Sequence, residues 1–172
     1  MRKIYLIGYS ANSMDNKEKF SKLLEIDELK NIGRLYVGDS SNDIEVSNYI
    51  TNKSILKIDT RVGDKNLSNS NFPDNKDTVL SNLATLTELD DRFTEFINDV
   101  TDDEITNIGV VVNNIMVLSF LQNMFDFKKD GNSYHVDFLN KELLNGEVPN
   151  PIIYELVYAD NGKFQDINRI AL

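Results

Sequence analysis

Short apolar runs alternate with amphipathic segments along this chain, and polar residues separate the two. Residues 3–7 form an apolar run of strand-favouring side chains that is too short for a helix and that Gly8 ends. Similar runs at 34–37, 55–58 and 108–112 predict three more strands, and the last of them, the most apolar, is expected at the centre of the sheet. The pattern predicts strands that are joined by helices.

The amphipathic segments predict the helices. Residues 78–100 carry the clearest helical period, and the acidic side chains of their polar face are expected to be solvated: Glu88, Asp90, Asp91 and Glu95. Shorter helices are predicted at 17–24, at 44–50 behind an N-cap, at 113–124, and between Asp137 and Leu144.

A β-hairpin is predicted near the end of the sequence, because Asp160-Asn161-Gly162 lies between the apolar runs 152–158 and 164–170. The whole pattern predicts a three-layer α/β/α sandwich in a single domain over residues 1–172, with a mostly parallel sheet and a C-terminal hairpin. The segment from Asp59 to Asp77 is long and polar, which is typical of functional lids and of disordered loops.

Composition narrows the function classes. The chain has 172 residues, a net charge of −10 and no cysteine. An acidic chain lacks the basic patch that nucleic acids and anionic membranes require, so neither is expected as a partner. No apolar run reaches membrane-spanning length and no signal h-region is visible, so we expect a soluble, cytoplasmic protein. The only histidine, His135, is expected to be a surface or packing residue. With one histidine and no cysteine a transition-metal site is not expected, and the metal that remains to consider is a hard cation such as Mg²⁺ bound by carboxylates.

The loop after the first strand is the candidate site. In an α/β sheet this loop lies at the carboxyl edge, where such folds place ligands. Here it begins with Gly8, Tyr9 and Ser10, and residues 8–13 contain no acid, base or thiol. The sequence therefore predicts a site position that lacks the usual site chemistry.

A second candidate is the string Gly38-Asp39-Ser40-Ser41-Asn42-Asp43. It resembles the fourth motif of haloacid dehalogenase-type phosphatases, a GDSxND string whose aspartates hold magnesium. Two carboxylates on one strand-to-helix turn suit a hard cation, so Asp39 and Asp43 are alternative metal ligands. That family's nucleophile comes from a DxD sequence after the first strand, where this chain has Gly8-Tyr9-Ser10. Helix capping is the structural alternative for the same residues.

A broader resemblance connects five segments in order. Residues 4–7 resemble the first strand of the histidine phosphatase superfamily, whose fold is that of phosphoglycerate mutase, and residues 35–47 resemble its second strand and following helix. Arg92-Phe93 is similar to an Arg-Val pair in the family's long helix. Residues 110–121 resemble its segment of strand, Ser-His-Gly and helix, and residues 150–170 resemble its closing pair of strands. The resemblance implies a phosphoglycerate mutase-like fold over nearly the whole chain.

The residues that carry that family's chemistry differ here. Two arginines and two histidines form the family's cationic phosphate cage. Gly8 stands at the position of the family's first arginine, Tyr9 at its nucleophilic histidine and Ser10 at the glycine that follows. Asn42 stands at the second arginine, and Asp64 stands at the acidic proton donor. Asn113 or Asn114 stands at the second histidine, since the apolar spacing behind them allows either register.

These replacements predict the loss of phosphotransfer. Losing one charged donor of this kind costs about 2.7–4 kcal/mol of transition-state stabilisation, and losing the nucleophile removes the covalent route. The Tyr9 phenol, with an ordinary pKa of about 10, needs a cationic neighbour to ionise at pH 7. The charges expected near it are the acidic residues Asp15, Asp39 and Asp43.

The leading hypothesis is therefore a catalytically inactive histidine-phosphatase-like protein that binds a protein partner or a small neutral or cationic ligand. One alternative is an active phosphatase, either magnesium-dependent through Asp39 and Asp43 or a divergent phosphoglycerate mutase-like phosphohydrolase. Another is an interaction subunit that works through the segment from Asp59 to Asp77.

Overall fold

A computed structural model describes residues 1–11, 14–15, 17–50, 55–63, 72–74, 80, 85–101 and 104–172. The strands are β1 (Arg2–Tyr9), β2 (Arg34–Val37), β3 (Leu56–Ile58), β4 (Asn107–Asn113), β5 (Asp126–Asp130), β6 (Ser133–Phe138), β7 (Lys141–Gly146), β8 (Ile152–Tyr158) and β9 (Phe164–Ile170). The α-helices are α1 (Lys17–Ser21), α2 (Ser41–Ser47), α3 (Leu86–Val100) and α4 (Asn114–Met124). Short 3-10 turns cover Lys22–Glu25, Asp27–Asn31 and Thr60–Val62.

The main sheet has six strands in the order β3-β2-β4-β1-β8-β9. Strands β1 to β4 pair in parallel, whereas β8 and β9 form the antiparallel hairpin at one side. This confirms the prediction of a mixed α/β fold with a mostly parallel sheet and a closing hairpin. Tyr9 pairs with Asn113 and Val37 pairs with Val111, so β1, β2 and β4 all end at one edge of the sheet.

Helical segments cover both faces of this sheet, so β1 is buried on both faces. Ile4 and Leu6 pack into the core that holds α3 and α4. The alternate residues Tyr5, Ile7 and Tyr9 pack into the opposite core, which contains the apolar side chains of the first helical segment and of α2. Alternation along one strand thus supplies the inner surface of both layers.

A second sheet, with the order β5-β6-β7, corrects the prediction of a helix between Asp137 and Leu144. Residues 137–144 instead contribute to β6 and β7, which pair antiparallel. Tyr134 and Val136 are buried whereas His135 and Asp137 are exposed, and this two-residue period selects a strand. The β7 residues Leu143 and Leu144 bury the apolar surface that was assigned to the helix.

Two other predicted helices change in detail, and one predicted loop is described only in part. The helix predicted at 17–24 is α-helical to Ser21 and continues as a 3-10 turn. The long helix begins at Leu86, behind a Thr85 side chain that accepts a hydrogen bond from the Glu88 N–H at 3.3 Å. Much of the polar segment from Asp59 to Asp77 lies outside the described residues. Among the described helices, none is long and apolar enough to cross a membrane.

Candidate functional site

The carboxyl edge of the main sheet brings several of the predicted site residues together. Tyr9 ends β1, Gly38 follows β2, and Asn113 ends β4 as the N-cap of α4. Helix α2 starts directly above this edge, with Ser40 as its N-cap. The edge is therefore built from two strand-to-helix turns and the end of β1, as expected for an α/β ligand site.

Tyr9 and Asp43 form the centre of the edge. The Tyr9 hydroxyl donates a hydrogen bond to Oδ1 of Asp43, and the two residues are only 3% and 2% exposed. Ser40 holds the same turn, because its Oγ accepts a hydrogen bond from the Asp43 N–H at 3.0 Å. A phenol, a carboxylate and a hydroxyl thus form a closed, buried polar cluster.

Two glycines make room for the Asp43 carboxylate. A Cβ on Gly63 would lie 2.7 Å from Asp43 Oδ2 and 2.8 Å from the Gly38 Cα. A Cβ on Gly38 would likewise overlap Asp43 Oδ2. The chain at Gly38 and Gly63 can close over this carboxylate only because neither residue has a side chain.

Burial controls the protonation of this cluster. It raises the pKa of Asp43, and the neighbouring Asp39 charge acts in the same direction. Burial together with the Asp43 carboxylate also holds the pKa of Tyr9 far above its usual range. Tyr9 therefore remains a protonated hydrogen-bond donor at neutral pH.

Gly8 lies against the start of α4. A Cβ on Gly8 would lie 2.6 Å from Val117 Cγ2 and 2.7 Å from Asn114 Oδ1. That Asn114 oxygen is buried and has no hydrogen-bond partner within the described part of the chain. The Asn113 side chain instead accepts a hydrogen bond from the Ile115 N–H at 3.0 Å, so Asn113 serves as the helix cap and Asn114 as the neighbour of β1.

The remaining predicted site residues take different positions. The Ser10 N–H donates to Asn150 Oδ1 at 2.9 Å, which ties the end of β1 to the turn before β8. Asn42 is half-buried in the first turn of α2. Asp64 lies outside the described residues.

The alternative metal ligands do not share an environment. Asp39 is exposed, whereas the Asp43 carboxylate faces Tyr9. Across the described ranges, no group of three or more His, Asp or Glu side chains is arranged to hold a metal ion. His135 is exposed on β6, as predicted for a surface histidine.

Sequence reasoning missed that Asp43 is the buried partner of Tyr9. The predicted helix began at Ile44, which is 39% exposed, and it left out Asp43, which is buried. Asp43, Val46 and Ile50 share helical spacing of three and seven residues and are all buried, so the spacing alone contained the signal. A buried carboxylate needs a partner, and the Tyr9 phenol supplies it.

Comparison with known proteins gives a likeness in fold. No family model and no curated protein matches the chain. A solved structure named Mycobacterial hydrolase 1 aligns over 99% of this chain and 98% of its own, with a TM-score of 0.56 and 6% identity. Mycobacterial hydrolase 2 aligns over 98% of this chain and 88% of its own, with a TM-score of 0.51 and 8% identity. A phosphoglycerate mutase from Plasmodium falciparum aligns over 99% of this chain and 100% of its own, with a TM-score of 0.35 and 13% identity. At these identities the two hydrolase structures share a fold with this chain, and the likeness extends no further.

Proposed function

We propose that this protein is a catalytically inactive member of the histidine phosphatase superfamily, with a phosphoglycerate mutase-like fold, that acts by binding. The observation that carries the proposal is the buried hydrogen bond from Tyr9 to Asp43. It occupies the position at the end of β1 where the resemblance puts the nucleophile.

The environment of Tyr9 opposes nucleophilic attack in two ways. A side chain that is 3% exposed cannot reach a substrate without a rearrangement of the edge. Its raised pKa keeps the hydroxyl protonated, and the neighbouring carboxylate disfavours the phenolate further. Activation of a nucleophile requires the opposite, which is a lowered pKa or a base beside an accessible hydroxyl.

The electrostatics of the edge also oppose a phosphoryl group. A phosphoryl transition state is stabilised by fixed positive charge. The four cage positions hold the neutral residues Gly8, Tyr9, Asn42 and Asn114, with Asp43 beside them. Loss of even one such donor costs about 2.7–4 kcal/mol of transition-state stabilisation.

The packing around Gly8 opposes a return to the arginine that the family has at this position. An arginine there would need space that Val117 and Asn114 occupy, since even a Cβ comes within 2.6 Å of Val117 Cγ2. Recovery of the phosphate cage would therefore require coordinated changes in β1 and α4.

A binding role suits the groups that remain. Ser10, Asn42 and Asn114 are half-buried polar residues around the Tyr9–Asp43 pair. The buried Asn114 Oδ1 is an acceptor with no partner among the residues described. With the exposed Asp39 carboxylate nearby, this set favours a neutral or cationic group that donates hydrogen bonds, carried by a small ligand or by a protein partner.

Two measurements test the proposal. The purified chain is incubated with phosphomonoesters such as p-nitrophenyl phosphate, beside Tyr9→Phe; we expect the same background rate in both, and turnover that Tyr9→Phe abolishes would overturn the inactive assignment. Nuclear magnetic resonance titrations then compare a guanidinium salt with inorganic phosphate. We expect the resonances of Ser10, Asn42 and Asn114 to respond to guanidinium alone, and a saturable response to phosphate would contradict the binding preference.

A further inference from the structure

A cavity lies near the opposite edge of the sheet from the candidate site. It has a volume of about 220 Å³ and is enclosed by α3, the end of α4 and the β8–β9 hairpin. Tyr158, one of its lining residues, pairs with Arg2 at the start of β1, whereas Tyr9 lies at the end of that strand. The cavity is therefore separate from the candidate site and is independent of the proposed function.

Aromatic side chains form the walls. Phe93 and Phe120 meet edge to face with ring centroids 5.9 Å apart, and Tyr158 and Phe164 do so at 5.7 Å. Ile97 completes the apolar lining from α3. Small-molecule sites commonly have this form, with apolar and aromatic walls and a few polar groups that orient the ligand.

Asp90 supplies the charge. It is the one Asp, Glu, Lys or Arg among the described residues that line the cavity. Tyr158 adds none at neutral pH, because burial raises its pKa to about 12. A negative group beside aromatic rings, whose faces carry negative quadrupole charge, favours a cation over a neutral or anionic ligand.

The sequence pattern assigned Asp90 to the solvated face of its helix, and the structure corrects this. Asp90 is half-buried, and its Oδ1 accepts a hydrogen bond from Ser119 of α4, a residue that is 1% exposed. This bond fixes one carboxylate oxygen in place at the cavity. A carboxylate has about four acceptor positions, so it can keep its partners within the protein and also receive a ligand N–H.

We propose that this cavity binds a small aromatic ammonium ion, with its ring among Phe93, Phe120 and Tyr158 and its ammonium group at Asp90. The volume of about 220 Å³ is smaller than the roughly 300–1,000 Å³ of sites for drug-sized ligands, so it suits a small molecule with a single ring. The net charge of −10 raises the local concentration of cations around the protein, which favours association with such a ligand.

Three probes that share a phenyl ring on a short chain isolate the role of charge: 2-phenylethylammonium, 2-phenylethanol and 3-phenylpropanoate. Binding is followed by amide nuclear magnetic resonance at pH 7, where the resonances of Thr94, Asn98 and Gly162 report on the cavity. We expect the ammonium probe to bind about tenfold more tightly than the alcohol, as for a hydrogen bond to a charged group. The carboxylate probe should bind most weakly.

Two variants locate the preference. Asp90→Asn should weaken binding of the ammonium probe about tenfold and leave binding of the alcohol unchanged. Asp91→Asn removes the same charge at an exposed neighbour, so this variant should keep the preference for the ammonium probe. Equal affinity for ammonium and alcohol would overturn the proposal, as would an ammonium preference that survives Asp90→Asn. Absence of any shift at the cavity residues up to about 10 mM probe would also overturn it. If Asp90→Asn does not fold, the three probes on the unaltered chain still decide the matter.

Discussion

The Tyr9 hydroxyl donates a hydrogen bond to Asp43 across 34 residues of sequence, at the edge where β1 and β2 end. The bond joins the end of the central strand β1 to the first turn of α2. It satisfies a buried carboxylate that would otherwise be costly, and it engages the hydroxyl that would otherwise be a candidate nucleophile. The stability of the fold and the proposed loss of catalytic activity thus depend on the same hydrogen bond.

Removal of the phenol should destabilise the fold. Tyr9→Phe leaves the buried Asp43 carboxylate without its donor, so we expect the free energy of unfolding to fall by about 1–3 kcal/mol. Urea denaturation measures this. Tyr5→Phe is the matched control, since the Tyr5 hydroxyl also donates to a carboxylate, at 3.2 Å, but its acceptor Glu155 is partly exposed. An equal loss in the two variants would contradict the special role of the Tyr9–Asp43 pair.

The pH dependence of stability should report on Asp43. Its pKa is higher in the folded state than the unfolded value of about 3.9. The stability that this carboxyl contributes is therefore complete below the unfolded pKa and is lost as pH rises through the folded pKa. We expect Asp43→Asn to gain stability relative to the original chain as pH rises from about 4 towards neutrality.

Chemical denaturation at several pH values tests that expectation. Asp130→Asn, which removes an exposed carboxyl on β5, controls for the loss of one negative charge. A difference between Asp43→Asn and the original chain that stays constant with pH, or that changes in the opposite direction, would show that Asp43 does not titrate as proposed.

Because β1 and α4 approach closely at Gly8, any side chain at position 8 should destabilise the fold. Gly8→Ala places a Cβ against Val117 and Asn114, and we expect a destabilisation of about 1–3 kcal/mol. Asn114→Ala in the same chain removes one of the two clashing groups and should restore part of the loss. Thermal unfolding of the single and double variants measures both effects, and a Gly8→Ala variant as stable as the original chain would refute the packing argument.

Magnesium should leave the protein unchanged. The Asp43 carboxylate is engaged by Tyr9 and Asp39 is exposed, so we expect the same melting temperature with and without millimolar MgCl₂. A ligand at 100 times its Kd would add about 2.7 kcal/mol, which is readily measured. Stabilisation by magnesium that Asp39→Asn abolishes would instead favour the magnesium-dependent phosphatase.

Local sequence patterns predicted much of the fold. The apolar runs gave β1, β2 and β4, the Asn113 cap gave α4, and the Asp160-Asn161-Gly162 turn gave the closing hairpin. Each of these signals lies within a few neighbouring residues, so no tertiary information was needed. The strand pair β6 and β7 was missed because its adjacent buried leucines, Leu143 and Leu144, fit a helix as well as an irregular strand.

The candidate site was less accessible to sequence reasoning. The sequence placed Gly8, Tyr9 and Ser10 at the carboxyl edge of the sheet, and they lie there. The predicted end of the strand at Gly8 was wrong, because β1 continues to Tyr9, so Gly8 and Tyr9 belong to the strand and only Ser10 follows it. The partner of Tyr9 was not predicted, because the orientation of α2 depends on packing between distant segments. For the same reason Asp90 was assigned to solvent, although Ser119 of a later helix holds it at a cavity.

The most direct test of the central claim is a search for phosphate transferred to Tyr9. The chain is mixed with excess p-nitrophenyl phosphate, quenched in acid after short and long times, and analysed by intact-mass and peptide mass spectrometry. Because Tyr9 is buried, protonated and bound to Asp43, we predict no phosphorylated Tyr9 and no turnover above that of Tyr9→Phe. A phosphate on Tyr9, or turnover that disappears in Tyr9→Phe, would contradict the account.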